Sequence, residues 1–472
     1  MDRLPNRAQT AQALRQQIVG IDQMTPLLDG TKRPYIYLDN AASTPAFRRV
    51  QDKVDEFLVW YSSVHRGTGF KSLVATHAYE QAREIVARFV GADPKVHAVI
   101  FGKNTTEAIN KLANRIEFQP GDVVVTTAME HHSNDLPWRP KAQVEYVGLG
   151  SDGALDLEAF RRTLKHLCGR VKLVAVTGAS NVSGFVPPIH DMAELAHEHG
   201  ALIVVDCAQL APHRAIDMGP LGGPRSLDFV TLSAHKMYAP FGSGALIGPL
   251  EFFAKGAPDY RGGGTIDIVT LDEVHWADPP ERDEAGSPNV VGAVALASSI
   301  RVLTEVGMDA VAAHEMDLTR YALLALNQLD GIKIYGSCDP ERLEDRLGVI
   351  AFAVKGMPHG KVAAILGFEG GIGVRNGCFC AHPYLLRLLG VSDAAFHAYR
   401  DRVLQHDRSG LPGLVRASFG CYNTQEEIDA LVEVLQRILH GDIRGEYVID
   451  RASGQYAPRS YDPITLGEYF AI

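Results

Sequence analysis

Short, nearly continuous apolar runs alternate with amphipathic stretches over the first 290 or so positions of the chain. Residues 97–101, 122–127, 144–147, 172–177, 201–206, 227–232 and 244–247 are rich in Val, Ile and Leu and are bounded by turn-forming residues. Each predicts a strand buried on both faces. Residues 105–114, 157–168 and 189–199 repeat apolar positions at helical spacing between them. An earlier helix is predicted over 72–90, with Val74, Tyr79, Ile85, Val86 and Phe89 broadly on one face and a stop at Gly91-Ala92-Asp93-Pro94. Buried strands alternating with helices predict an α/β fold built on a mainly parallel sheet covered on both sides.

The pattern changes near Pro288. Helical stretches at 291–306 and 310–329 lead into mixed elements of more antiparallel character. The predicted organisation is an N-terminal arm (1–33), a large domain (34–289), a smaller α+β domain (290–440) to which part of the arm contributes, and a polar, aromatic C-terminal extension (441–472) packed on a surface. No internal repeat or low-complexity tract interrupts this order.

Composition narrows the function classes. With 472 residues, 46% hydrophobic and 22% charged, the chain can fill two lobes and is too apolar to be disordered as a whole. A net charge of −10 argues against nucleic-acid binding, which calls for a basic excess or stripe. No run reaches the roughly 18 apolar residues that span a bilayer, so no membrane association is expected. The N-terminus lacks the apolar core of a signal peptide. Six cysteines are too few for a disulfide scaffold, so reduced thiols and a cytoplasmic setting are expected.

In open parallel sheets ligands bind beyond the carboxyl ends of the strands. Three such ends carry suggestive chemistry. Asn104-Thr105-Thr106-Glu107 opens a helix, where unpaired N–H groups and small hydroxyls suit a phosphate or serve as a plain N-cap. Asp206 can pair with a cationic ring nitrogen or cap the next helix. Lys236, in Ser233-Ala234-His235-Lys236 ahead of a Pro240-Phe241-Gly242-Ser243-Gly244 turn, can form a Schiff base with an aldehyde if desolvated, although most lysines are solvated surface charges. Taken together, phosphate cradle, carboxylate and lysine are the three partners pyridoxal phosphate requires.

Ordered motifs extend this. Leu38-Asp39-Asn40-Ala41-Ala42-Ser43, Val64-His65-Arg66-Gly67, Asn104-Thr105-Thr106-Glu107-Ala108-Ile109-Asn110, Glu130-His131-His132-Ser133-Asn134, Ser180-Asn181-Val182-Ser183-Gly184, Asp206-Cys207-Ala208-Gln209, Ser233-Ala234-His235-Lys236, Glu284-Ala285-Gly286-Ser287-Pro288-Asn289 and Arg416-Ala417-Ser418-Phe419-Gly420 succeed one another between residues 35 and 440. In this the chain resembles the class V aminotransferase group of pyridoxal-phosphate enzymes, in its cysteine desulfurase and selenocysteine lyase branch. The resemblance implies the aspartate-aminotransferase-like fold. It implies Lys236 as the cofactor-bearing lysine, Asp206 on the pyridine nitrogen, Gln209 on the ring hydroxyl and His131 against the ring face as a catalytic proton shuttle. Thr105, Thr106, Ser233 and His235 would bind the phosphate, and Asn181 and Arg416 the substrate carboxylate. It also implies a homodimer in which Gly262-Gly263-Gly264-Thr265 of the neighbouring subunit completes the phosphate site.

Arg375-Asn376-Gly377-Cys378-Phe379-Cys380-Ala381-His382-Pro383 places two cysteines one residue apart. No second Cys/His pair stands at zinc spacing, so no metal is expected. Buried core cysteines are the plain alternative, although Asn376, Gly377 and Pro383 mark a loop. The resemblance places the sulfur-accepting thiol at Cys380, with His382 and Arg375 near enough in sequence to favour its thiolate. The Gly-Cys-Phe-Cys run also resembles the desulfurase-like domain of molybdenum cofactor sulfurases. The implied activity is desulfuration of L-cysteine to L-alanine, sulfur passing to Cys380 as a persulfide and then to a protein acceptor. The alternatives are a selenocysteine lyase, a molybdenum-cofactor-sulfurase-type sulfur donor, or an aminotransferase or lyase for another amino acid.

Overall fold

A computed structural model describes residues 7–150 and 152–472. Its centre is a seven-stranded sheet whose spatial order is His97–Gly102, Gly244–Pro249, Phe229–Ser233, Leu202–Asp206, Val171–Thr177, Val123–Thr127, Gln143–Val147. Every apolar run read as a strand is one, within a few residues at either end. Most are buried along their whole length, whereas the edge strand Gln143–Val147 is largely open to solvent.

Gly244–Pro249 is antiparallel to both its neighbours, and the other six strands point the same way. The cause is local. The connection 234–243 is too short for the crossover that a parallel strand needs, so the chain turns straight back and carries Lys236 on the turn. On one face of the sheet, Thr105–Arg115 and Leu250–Ala254 pack with the fully buried Trp138. On the other, Phe70–Phe89 and Arg48–Leu58 pack against Val290–Val306. That last helix, expected to open the smaller lobe, therefore lies in the core of the large sheet.

Beyond it, a four-stranded antiparallel sheet runs Ile332–Tyr335, Val349–Val354, Leu414–Ser418, Arg375–Gly377. Met308–Asn327, His359–Gly370 and Gln425–Leu439 bury their apolar sides against it. The N-terminal segment joins this region: Ile36–Tyr37 pairs in parallel with Ile372–Gly373. The part of the predicted arm before residue 7 lies outside the described residues. The C-terminal extension forms a hairpin, Tyr447–Ile449 with Tyr456–Pro458, against His359–Gly370. Its root is fixed at Glu369, which accepts from Arg437, from the Arg444 and Gly445 amides and from the Tyr447 hydroxyl.

One buried carboxylate joins the two sheets. Glu315, on Met308–Asn327 and 1% exposed, lies 3.0 Å from His213 Nδ1, and accepts from Arg214 Nη1 at 2.5 Å and from the Gly348 amide at 2.8 Å. His213 and Arg214 end the segment that begins at Asp206, so this contact steadies a wall of the site described next. His213, Arg214 and the Gly348 amide together outweigh desolvation and hold the Glu315 carboxyl at about 2.

Candidate active site

The six parallel strands end on one edge of the sheet, and the polar segments after them enclose a cavity of about 190 Å³. Thr105, Thr106, His131, Asn181, Asp206, Gln209, Ser233, His235, Lys236, Cys380 and Arg416 all line it. Thr265 does not. It is buried in its own turn, donating to Gly262 O at 2.8 Å, beside a separate cavity of about 940 Å³ bordered by His65, Arg66, Gly263 and Gly264.

Lys236 closes the turn Ala234–Lys236 and reaches inward, Nζ lying 3.3 Å from Gln209 Oε1. Enclosure lowers its pKa to about 8; the Asp206 carboxylate opposes that shift and the Arg416 guanidinium adds to it. Asp206 ends its strand 5% exposed and accepts from the Ala208 amide at 3.0 Å. Burial raises its carboxyl pKa, with the Ala208 amide and Lys236 acting against the rise. Burial, then the charge of Lys236, push His131 down to about 3, so its ring is neutral at neutral pH. His131 Nδ1 accepts from the Ser133 amide at 3.1 Å, which assigns the ring proton to Nε2. The adjacent Glu130 is fully enclosed, raised to about 8 by burial, and held by Thr127 Oγ1 at 2.6 Å and Asn134 Nδ2 at 2.7 Å.

At the other end of the cavity, Asn104 caps Thr105–Arg115 by accepting from the Glu107 amide at 3.0 Å. The Thr105 amide donates to Ser233 Oγ at 2.9 Å, and Thr106 Oγ1 lies 2.6 Å from Ser133 Oγ. This helix start sits close against the sheet because residue 244 is glycine. A Cβ there would fall 2.5 Å from Asn104 Cα and 2.6 Å from Leu232 O. Desolvation keeps His235 low, near 4, and hence a neutral ring.

Among the described residues that line this cavity, Thr105 Oγ1, Gln209 Nε2 and Arg416 Nε are buried without a hydrogen-bond partner. Buried polar groups are normally satisfied, so unpaired ones on residues that line one cavity suit a site built for a polar ligand. A hydroxyl at a helix N-terminus, an amide N–H beside a lysine and a carboxylate, and a guanidinium N–H fit a phosphate, an aromatic hydroxyl and a carboxylate respectively. These residues therefore suit pyridoxal phosphate together with an amino acid.

Arg416, 2% exposed, donates from Nη1 to Asn181 O at 2.9 Å and from Nη2 to Asp39 Oδ1 at 2.8 Å. Its guanidinium carbon lies 4.9 Å from the centre of the Phe379 ring. Phe379 and Cys380 both adopt left-handed backbone, with φ of 52° and 55°. Such strain persists only where the surroundings over-determine it. Here the His132 amide donates to Cys380 O at 2.8 Å and Asn181 Nδ2 to Phe379 O at 2.7 Å. Asn181, expected on a substrate carboxylate, gives one of its two amide N–H groups to the cysteine loop and still lines the cavity. The two thiols differ. Cys378 is half-buried, donates to Pro412 O at 3.3 Å and is raised to about 11 by burial and by Cys380, whereas Cys380 is exposed on the cavity wall.

The model of the aminotransferase class-V family matches residues 36–431. The chain belongs to that family. A protein of Halalkalibacterium halodurans described as a probable cysteine desulfurase is 36% identical over 428 residues, 88% of this chain and 97% of that relative. A cysteine desulfurase of Haloferax volcanii is 35% identical, over 88% of this chain and 92% of its own. Among solved structures, the apo cysteine desulfurase of Thermococcus onnurineus superposes with a TM-score of 0.78 at 33% identity, covering 93% of this chain and 99% of that one. The family is one of pyridoxal-phosphate enzymes in general.

Two residues at the site of this class-V chain carried no assigned role in the sequence, and a third carried a different one. Ser133 links His131 to Thr106. Asp39 pairs with Arg416 and stands 3.8 Å from Arg375. Arg375, considered only as a neighbour of the thiol, is the cross-strand partner of Arg416. Each lay inside a recognisable motif, but only the folded geometry joins positions so far apart in the chain. His382, expected to assist the thiol, stacks on His132 with ring centres 5.0 Å apart, and burial keeps it neutral.

Proposed function

We propose that this class-V chain is a pyridoxal-phosphate-dependent cysteine desulfurase that takes sulfur from L-cysteine onto Cys380 and releases alanine. The observation that carries the reading is an exposed thiol, Cys380, on the wall of the cavity that holds Lys236, Asp206 and Arg416. Transamination or simple elimination needs the last three and has no use for the thiol. The names of the relatives point the same way.

Pyridoxal phosphate, when bound, supplies an electron-withdrawing ring that stabilises the charge left as an amino acid loses its α-proton. Asp206 would hold the ring nitrogen protonated, Gln209 Nε2 would donate to the ring hydroxyl, and His131 would lie against the ring face. Thr106, Ser233 and His235, with Thr105, would hold the phosphate. Lys236 would bear the cofactor. With a pKa of about 8, on the order of a tenth of its amine is uncharged at pH 7, enough to act as a base at the substrate α-carbon. Arg416 keeps its Nε edge for the α-carboxylate, and its contact with Asn181 O holds that edge in line with the cysteine loop. The Cys380 thiolate attacks the substrate sulfur. The new S–S bond forms as the Cβ–S bond breaks, the bonding pair stays on carbon, and a proton completes alanine.

The working unit is a homodimer on this reading. Thr265 and Gly262–Gly264 lie away from the cavity of their own chain, and Leu58, Val59, Trp60, Tyr61 and Phe70 are exposed nearby in sequence to the His65–Arg66 border. A protein acceptor would then collect the sulfur from Cys380, an accessible side chain. The test is anaerobic turnover of L-cysteine by cofactor-loaded wild type and Cys380→Ser. Wild type forms alanine and the variant does not; alanine from the variant at the wild-type rate rejects the reading.

A further inference from the structure

His131 lines the cavity, and the next residue, His132, meets the cysteine loop. The turn that carries both is fixed from below. Glu130 accepts from Thr127 Oγ1 at 2.6 Å and from Asn134 Nδ2 at 2.7 Å, and Trp138 Nε1 donates to Asn134 O at 3.0 Å. A segment tied to this turn is therefore held in a set relation to the cavity that His131 lines.

The cysteine loop needs such a support. Phe379 and Cys380 are consecutive residues in left-handed backbone, which non-glycine residues hold only under outside constraint. The helix that follows, His382–Leu388, is preceded by Ala381, whose side chain offers no acceptor to the first free amides. His132 meets both needs. Its amide donates to Cys380 O at 2.8 Å. Its ring Nε2 lies 3.3 Å from the His382 amide nitrogen and 3.1 Å from His382 Nδ1. An amide N–H can only donate, so Nε2 is the acceptor and the His132 ring proton sits on Nδ1. His382 Nδ1 then carries its own proton toward the same acceptor, and the two ring planes differ by 5°. His132 thus holds the two peptides after Cys380, as Asn181 Nδ2 holds the one before it through Phe379 O.

We propose that His132 is a positioning residue for the sulfur-transfer step: its amide and its ring together fix the backbone that follows Cys380, so that the thiol meets the substrate sulfur without a further ordering of the loop. It acts through the loop, not on the reacting atoms. The inference rests on the reading of Cys380 as the sulfur acceptor. In the step it serves, the Cys380 thiolate attacks that sulfur. The S–S bond forms, the Cβ–S bond breaks with its pair left on carbon, and a proton completes alanine. Preorganisation of this kind acts on the rate of the step rather than on substrate binding. The amide contact survives a change of side chain and the ring contacts do not, so the ring can be tested by itself. At a few-fold per hydrogen bond, its two contacts amount to about tenfold.

The experiment is single-turnover formation of persulfide on Cys380, by cofactor-loaded protein mixed anaerobically with L-cysteine. Calorimetric binding of L-alanine, which has no sulfur for the thiol to meet, is measured alongside. His132→Leu should slow persulfide formation about tenfold and leave L-alanine affinity unchanged. His132→Gln, whose side-chain oxygen can accept where Nε2 does, should stay within about threefold of wild type. His382→Ala keeps the amide contact and should slow the step about threefold; added to His132→Leu it should cause no further loss. A merely structural role would weaken L-alanine binding as well and would not be rescued by glutamine. A wild-type rate in His132→Leu, equal slowing by leucine and glutamine, or full additivity of the two variants overturns the proposal. If His132→Leu does not fold, His382→Ala, on an exposed side chain, carries the test, and a wild-type rate there overturns it. Separately, no persulfide on Cys380 in wild type would reject the reading beneath it.

Discussion

Replacing Glu315 by Gln removes a charge and little else, because the amide is close in shape to a protonated carboxyl. Glu315 is 1% exposed and meets His213, Arg214 and the Gly348 amide. Its carboxyl is held near 2 against an ordinary 4.5. At about 1.4 kcal/mol per pH unit, the ionised form stabilises the fold by roughly 3 kcal/mol relative to the neutral one. That agrees with the 3–5 kcal/mol typical of a buried ion pair deprived of one partner. Glu315→Gln should therefore lose roughly 3 kcal/mol of unfolding free energy at pH 7, read from urea denaturation of the cofactor-loaded protein under reversible conditions. A carboxyl with a depressed folded pKa stabilises above its unfolded pKa. The gap between wild type and variant should thus be full above pH 4.5 and narrow as pH falls toward 2. A variant within about 0.5 kcal/mol of wild type at pH 7, the range of an ordinary surface change, would refute the reasoning.

Gly244→Ala should weaken pyridoxal-phosphate retention at least tenfold, because its Cβ would fall 2.5 Å from Asn104 Cα and push the helix start off the sheet; equilibrium dialysis reads this, and unchanged retention would contradict it. In cofactor-free protein, modification of Lys236 by an aldehyde reagent should rise with pH around a midpoint near 8, because the neutral amine is the reactive form. Asp206→Asn should lower that midpoint, since the lost carboxylate favours the charged amine; peptide mapping across pH reports both, and a midpoint near the ordinary 10.5 would contradict the account. Cys378→Ser should still accept sulfur on Cys380 within a few-fold of wild type, because the Cys378 thiol is turned to Pro412 O; complete loss of persulfide would show that Cys378 takes part.

The large sheet was legible because its strands are buried on both faces and so read as unbroken apolar runs, with catalytic-type residues immediately past their ends. Strand direction was not: Gly244–Pro249 looks like its neighbours in sequence, and only the short 234–243 connection reverses it. The hairpins Met24–Pro26 with Lys32–Pro34 and Tyr447–Ile449 with Tyr456–Pro458 escape a reading from sequence, because their strands are only three residues long and lack apolar alternation. The residues drawn from motifs meet in one cavity, Thr265 apart, and the place proposed for Thr265 depends on a second copy of the chain. Asp39 and Arg416 are 377 positions apart, so a motif could name each without disclosing that they touch.

The most direct test of the central claim is mass mapping of the Cys378–Cys380 peptide after anaerobic incubation of the cofactor-loaded protein with L-cysteine, with alanine measured in the same sample. The account predicts alanine together with one or more extra sulfur atoms on Cys380 and none on Cys378. Alanine with the added sulfur on Cys378, or no alanine and no added sulfur while the cofactor remains bound, would contradict it.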